Sequence, residues 1–261
     1  MRDALADVER RLAAAGIATP RVDAEWLVAH VLQVPRSRLH ERVHLDEAAL
    51  EPLVERRQRR EPLAYVLGEW GFRGLTLKTD ARALVPRPET ETLVERSLSL
   101  IAGERRPRVL DVGVGSGAIA LAIAAEHPGA RVTGVDTSGD ALELAAENAR
   151  ALALTVELRE GGIDAAGDGW DLVVSNPPYV RVDEWEGLQP EIREWEPRAA
   201  LVAYGVHAEL ARVARTRLLV LEVGDGQARE VAASLAGNGY VDVRITRDLT
   251  GTERVVEGRR S

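Results

Sequence analysis

The 261 residues contain no cysteine. That excludes a disulfide framework and a thiolate metal site. Lysine is almost missing as well: Lys78 is its single occurrence, and the other basic residues are arginine. Together with abundant Ala, Val and Gly, this reads as a coding bias without functional meaning. No run approaches the roughly 20 apolar residues that a membrane helix needs. The opening stretch MRDALADVERRLAAAG carries acids and lacks the apolar centre of a signal peptide. A cytoplasmic protein is therefore expected. A basic balance is missing too. The net charge is −8, whereas a protein whose main partner is a long nucleic acid usually carries a basic field. Direct nucleic-acid binding is not expected, and the densest basic run, Arg56-Arg57-Gln58-Arg59-Arg60, reads as a solvated helix end. No His pair or carboxylate cluster stands at ligand spacing, so no metal is expected. Internal repeats and low-complexity segments are absent.

The length suits two domains of unequal size. Residues 1–61 read as a small helical bundle. Apolar residues recur at helical spacing at Leu5, Val8 and Leu12, and again at Ala24, Leu27, Val28, Val31 and Leu32. Asp23 is a candidate cap for the second helix, and Asp46 opens a third through Leu50, Leu53 and Val54. Residues 62–85 mix glycines, aromatics and short alternations and read as a β-hairpin linker. Residues 86–261 read as one domain. It starts with a helix opened by the prolines and acids of 86–91. It continues as alternating strands and helices, with strands at 109–112, 131–135, 156–158, 171–175 and 218–223. Two closing strands near 240–246 and 253–258 flank Thr250-Gly251 as a hairpin. The expectation is an α/β fold: a mostly parallel, doubly wound sheet with an antiparallel C-terminal hairpin, preceded by the helical bundle.

Asp111-Val112-Gly113-Val114-Gly115-Ser116-Gly117 leaves a buried strand and enters a helix. Glycines permit the tight turn and let a ligand approach the backbone. Asp136 ends the next strand, where a carboxylate can accept from both hydroxyls of a ribose; helix capping competes for that residue. A dinucleotide would need G-x-G-x-x-G with its pyrophosphate on the helix N-terminus. Here the glycines alternate, and the carboxylate of Asp111 precedes them. That carboxylate suits the cationic methionine end of S-adenosylmethionine and would repel a pyrophosphate.

Ser175-Asn176-Pro177-Pro178-Tyr179 ends the fourth strand of that series. Two prolines stop the sheet ladder and stiffen the turn. The Asn176 amide oxygen and the Pro177 carbonyl are acceptors, and Tyr179 adds a flat face and a hydroxyl. Two convergent acceptors can hold an NH2 group and aim its nitrogen, as methylation of a planar amide or amino group requires. Catalytic work is thus expected of Asn176, Pro177 and Tyr179, and substrate binding of these with Pro178.

Taken together, these residues resemble the HemK/PrmC family of release factor glutamine methyltransferases over nearly the whole chain. The segment 59-RREPLAYVLGEWGFRGL-75 is similar to the family's linker. Leu84 to Glu91 is similar to its PRPET segment, and Glu196 to Leu201 and Leu221 to Gly224 match later segments. The resemblance implies a Rossmann-like class I methyltransferase. It assigns Gly113, Val114, Gly115, Ser116 and Gly117 to the methionine end, Asp136 to the ribose, and Asn176 to Tyr179 to a glutamine amide, with Asn176 also near the methyl donor. The implied product is S-adenosylhomocysteine. The implied partner is a class-1 peptide chain release factor, methylated on its Gly-Gly-Gln loop by a monomeric enzyme. The bundle would dock that partner or stabilise the catalytic domain. Ribosomal-protein glutamine methylation and adenine-N6 methylation of nucleic acid are the alternative reactions. Two departures from the family pattern stand out. Glu160 is the candidate for the usual acid near the adenine, and Ala211 to Arg217 runs straight into the strand at Leu218 where a Pro-Gly-Gly-like turn is usual.

Smaller signals carry less. His30, His40, His44, His127 and His207 are expected to serve surface or packing roles. Arg87, Thr90 and Glu91 border the cofactor or start a helix. Trp185 and Trp195, in an acid-rich loop, form a lid or fasten that loop to the core.

Overall fold

The computed structural model describes residues 2–39, 45–167 and 169–260; the expectations for His40 and His44 lie outside them. The chain forms two units, Met1–Glu69 with Leu188–Trp195, and Trp70–Gly187 with Glu196–Ser261.

The first unit consists of α1 (Arg2–Ala14), α2 (Pro20–Leu32), α3 (Glu47–Gln58), α4 (Leu63–Leu67) and, from far along the chain, α8 (Pro190–Trp195). The helical spacing read from sequence becomes its core: Leu5, Val8 and Leu12 of α1, Ala24, Leu27 and Val28 of α2, and Leu50 and Val54 of α3 are buried. Asp46 caps α3 by accepting from the Ala49 amide at 3.1 Å.

Two expectations fail here for one reason. Asp23 does not cap α2, whose N-cap position is Thr19. It is buried and accepts from Arg57 Nε at 2.7 Å and from the Thr19 hydroxyl at 2.8 Å. The arginine run is not a solvated end either. Arg57 is buried and also donates to Glu191 at 2.9 Å. Arg60 grips both oxygens of Glu191 at 2.9 and 2.6 Å, and Arg56 holds Glu61 together with the Tyr65 and Val66 carbonyls. Glu61 is local to the run, but the two acids that hold Arg57 come from positions 34 and 134 residues away, beyond the reach of local pattern.

The expected hairpin linker opens as a helix. α4 ends at Gly68, which takes φ 76°. The hairpin follows as β1 (Glu69–Phe72) and β2 (Leu75–Lys78). Arg73 and Gly74 turn between them with φ 46° and 77°, the double positive φ of a tight two-residue hairpin turn.

The second unit continues with α5 (Thr90–Ile101), β3 (Arg108–Val112), α6 (Ala118–Glu126), β4 (Arg131–Asp136), α7 (Gly139–Ala151), β5 (Glu157–Glu160) and β6 (Leu172–Ser175). After the insertion come α9 (Val206–Val213), β7 (Leu218–Glu222), α10 (Ala228–Gly237), β8 (Val241–Arg247) and β9 (Glu253–Arg259). The sheet order is β5-β4-β3-β6-β7-β9-β8. The first five strands run parallel, and β9 is antiparallel to both β7 and β8. This is the expected mostly parallel sheet with its C-terminal hairpin. β6 and β7 are buried at every position, as strands covered on both faces must be. From β3 the chain turns first to β4 on one side and later to β6 on the other. The strand order therefore reverses at β3, and ligands of open α/β sheets bind in the crevice that such a reversal leaves.

Candidate active site

That crevice is a cavity of about 530 Å³. Its floor is the glycine loop. Gly113, Gly115 and Gly117 all take positive φ, at 78°, 53° and 88°, where an L side chain is strained. The Gly113 and Val114 amides donate to the Val135 carbonyl at 2.8 and 2.9 Å, tying the loop to β4. Gly134 of β4 makes room for it, since a Cβ there would come within 2.5 Å of Val114 Cγ2. Sequence reasoning missed another anchor, Asn148. This buried residue of α7 accepts from the Lys78 amide at 2.7 Å and donates to the Ser116 carbonyl at 2.9 Å. Its signal was a polar residue on the buried face of an amphipathic helix.

Asp136 lines the cavity and also fastens the loop. Its Oδ2 accepts from the Gly115 amide at 2.9 Å, and its Oδ1 from the Ser138 amide at 3.0 Å. The helix cap itself is Ser138, whose side chain accepts from the Ala141 amide, and each Asp136 carboxylate oxygen keeps a lone pair for a further donor. The structure corrects the role expected of Asp111. The residue is wholly buried, and its carboxyl faces the start of α6, where Oδ2 accepts from the Ala120 amide at 3.1 Å. Its Oδ1 has no partner among the described residues. Burial pushes the group up to about 7. It does not border the cavity beside the glycine loop.

Asn176-Pro177-Pro178, placed where β6 stops, also lines the cavity. The Ser175 hydroxyl donates to the Val112 carbonyl at 2.6 Å and so fixes the end of β6 against β3. Asn176 Nδ2 donates to Thr90 Oγ1 at 3.3 Å. Of the expected site residues, the cavity brings together Gly113, Val114, Gly115, Ser116, Asp136, Asn176, Pro177 and Pro178. Gly117 and Tyr179 are not on its wall. Gly117 turns into α6, where a Cβ would meet Leu121 at 2.9 Å. Tyr179 packs beside Gly224 and Glu222, and its carbonyl accepts from Gln227 Nε2 at 2.9 Å. Burial pushes its phenol up to about 12, so it stays protonated at neutral pH.

Arg87 and Thr90 line the cavity, while Glu91 instead accepts from the Arg73 amide at 3.2 Å. Gly161 to Asp164 line it in place of Glu160, which ends β5 in an exposed position. The segment 82–87 is held over the cavity by Glu196, a buried acid that sequence reading left without a role. It accepts from the Val85 amide at 3.2 Å and pairs with Arg87. Neither Trp185 nor Trp195 reaches the cavity wall. Trp185 stacks under the Arg198 guanidinium at 4.9 Å, and Trp195 belongs to the helical unit. His207, expected to serve a surface or packing role, sits with Nε2 2.8 Å from the Glu222 carbonyl oxygen. Among the described residues no group of His, Asp and Glu could hold a metal ion.

The fold and the paired motifs on one cavity define a class, the S-adenosylmethionine-dependent methyltransferases. Solved members share the fold. The hMettl16 catalytic domain in complex with a 3'UTR hairpin is 17% identical with a TM-score of 0.59, over 77% of this chain and 79% of that one. The T. thermophilus 16S rRNA methyltransferase RsmC is 19% identical with a TM-score of 0.55, over 74% of this chain and 50% of that one. Within the chain, residues 3–68 match the PrmC N-terminal domain and residues 90–188 the methyltransferase small domain. The release factor glutamine methyltransferase of Deinococcus radiodurans is 41% identical over 100% of this chain and 99% of its own length. That of Xylella fastidiosa is 42% identical over 95% and 96%. The chain belongs to the release factor glutamine methyltransferase family.

Proposed function

We propose that this chain transfers the methyl group of S-adenosylmethionine to the side-chain amide nitrogen of the glutamine in the Gly-Gly-Gln motif of class-1 peptide chain release factors, releasing S-adenosylhomocysteine. The observation that carries the reading is that one cavity is lined both by the glycine loop with Asp136 and by Asn176-Pro177-Pro178. The named activity of the full-length relatives supplies the substrate.

The residues present fit the cofactor. A Cβ added at Gly113 would meet nothing within 4 Å, so bare backbone faces the open cavity there. Gly113 to Ser116 hold the methionine end, with Gly117 making the turn into α6, and Asp136 holds the ribose. S-adenosylmethionine supplies an electrophilic methyl group on a positively charged sulfur. An amide nitrogen is a poor nucleophile because its lone pair is conjugated, so the protein's work is placement. Asn176 Oδ1 and the Pro177 carbonyl accept from its two N–H groups and aim the nitrogen; alignment of this kind supplies several kcal/mol. The same acceptors put negative dipoles where positive charge develops. The nitrogen–carbon bond forms as the sulfur–carbon bond breaks, and one N–H proton, made acidic by the transfer, passes to solvent water, so no strong base is required. Pro178 stiffens the turn, and Tyr179, protonated at neutral pH, serves as a donor and a packing face. The helical unit docks the release factor, and the enzyme works as a cytoplasmic monomer without a metal.

Mass spectrometry of a release factor incubated with the protein and S-adenosylmethionine tests this reading. One added methyl on the Gly-Gly-Gln glutamine is expected. An unmodified glutamine, with cofactor binding demonstrated separately, would redirect the search to ribosomal proteins or nucleic acid.

A further inference from the structure

Glu222 ends β7 behind the amide-holding turn and is 1% exposed. Its Oε2 has no hydrogen-bond partner among the described residues. A buried acid left in that condition is costly, and its surroundings show what it acts on. The hydroxyls of Thr90 and Tyr179 approach the carboxyl and, with Arg254, favour its charged form against the burial that pushes it up to about 7. Thr90 is itself buried and receives the Asn176 Nδ2 donor at 3.3 Å. A line of contacts therefore runs from the cavity wall at Asn176, through Thr90, to Glu222.

A threonine hydroxyl has one hydrogen and two lone pairs. When a carboxylate takes that hydrogen, only lone pairs remain for the Asn176 side chain, and only its NH2 group can meet them. The Asn176 carbonyl oxygen is then the atom left for the cavity. With the carboxyl protonated, Thr90 keeps its hydrogen free and either face of the carboxamide can meet it. On the amide-methylation reading, on which this inference rests, the difference matters: an Asn176 turned the other way would present donors to a substrate NH2 group.

We propose that Glu222 is a positioning residue of this site: its carboxylate accepts the Thr90 hydroxyl and thereby turns the Asn176 carboxamide so that Oδ1, not Nδ2, faces the substrate amide. The groups that face Glu222 are Glu89 and Thr90 at the start of α5, Tyr179 after β6, Arg254 on β9, and His207 on α9 against its backbone carbonyl. Burial pushes His207 down and Tyr179 up to about 12, away from neutral pH.

The Asn176 side-chain amide, assigned in a proton–nitrogen spectrum by its loss in Asn176→Asp, reads this relay without substrate or cofactor. In the wild-type protein its resonances are expected to move in one step as the pH crosses about 7. The step should vanish in Glu222→Gln and in Thr90→Val and survive in Thr90→Ser. Should Glu222→Gln fail to fold, the two Thr90 variants decide alone. Asp111 is also pushed to about 7, so a step that persists in Glu222→Gln belongs to it and overturns the proposal. An Asn176 amide that ignores pH in the wild type overturns it too. Methyl transfer then reads the consequence. In the wild type kcat should rise as the pH rises through that range, because the ionised form orients Asn176. Glu222→Gln should lose about tenfold in kcat with KM within about twofold, and lose the pH step. An unchanged kcat in Glu222→Gln beside an active wild type overturns the positioning role. A wild type that transfers no methyl to the release factor overturns the functional reading, while the spectrum still decides the relay.

Discussion

Asn176 and Asp136 each do two things, and the pairing of tasks shapes what their replacement does. Asn176 donates its side-chain amide to Thr90 and also lines the cavity. Asn176→Ala should abolish most methyl transfer yet leave S-adenosylmethionine affinity nearly intact; turnover at the wild-type level would defeat its role as an amide acceptor. Asp136 holds the Gly115 and Ser138 amides while facing the cavity. Asp136→Ala should weaken cofactor binding by about 1–3 kcal/mol, the usual loss for hydrogen bonds to a charged group. Titration calorimetry with S-adenosylmethionine measures this, and an unchanged Kd would remove Asp136 from the cofactor site. Both residues were legible in the sequence, Asp136 as the acid ending the strand after the glycine loop and Asn176 from the two prolines that follow it. Asn148, Glu196 and Glu222 were not, because nothing adjacent in the chain marks a single polar residue as buried.

At the scale of elements, the periodic segments came through and the irregular ones did not. β6 and β7 announce themselves as unbroken apolar runs. α4 is five residues long, too short for a 3.6-residue period to show, and in the sequence it merges with the hairpin that follows. α8 is six residues long, and its placement with the helical unit depends on ion pairs and not on apolar spacing. The Arg57 side chain, 7% exposed, stands between Asp23 and Glu191. Arg57→Ala leaves both acids without this cation, and removing one partner of a buried pair costs about 3–5 kcal/mol. Urea denaturation followed by circular dichroism should show that loss, partly recovered in the Asp23→Ala/Arg57→Ala double variant. A loss below about 1 kcal/mol would mean that the arginine run is solvated after all.

Across the whole molecule, two buried carboxyls set one part of the response to pH. Asp111 and Glu222 are both pushed up to about 7 by burial. Between the ordinary carboxylate range and that value the folded chain holds protons that the unfolded chain has released. These groups therefore make stability fall as the pH rises toward 7 and level off above it. Asp111→Asn removes one of the two. Relative to the wild type it should gain about 2–3 kcal/mol between pH 5 and 8, measured by denaturant unfolding at each pH. A difference between the two proteins that stays constant with pH would show that Asp111 is ionised throughout.

The class of fold, the alternation of strands and helices from β3 onward, the cofactor and amide motifs and the family were all written in the chain. These rest on local signals: apolar periodicity, glycines that allow positive φ, and prolines that end a strand. Only the tertiary structure decided which carboxylates face the cavity and which are sealed beneath it. It alone placed Tyr179 behind the wall, bound the arginine run to Asp23 and Glu191, and gave residues 188–195 to the helical unit. Such outcomes depend on burial and on partners tens of residues apart, and the strength of a charge or hydrogen bond is set by that surrounding medium, not by the residues next to it in the chain.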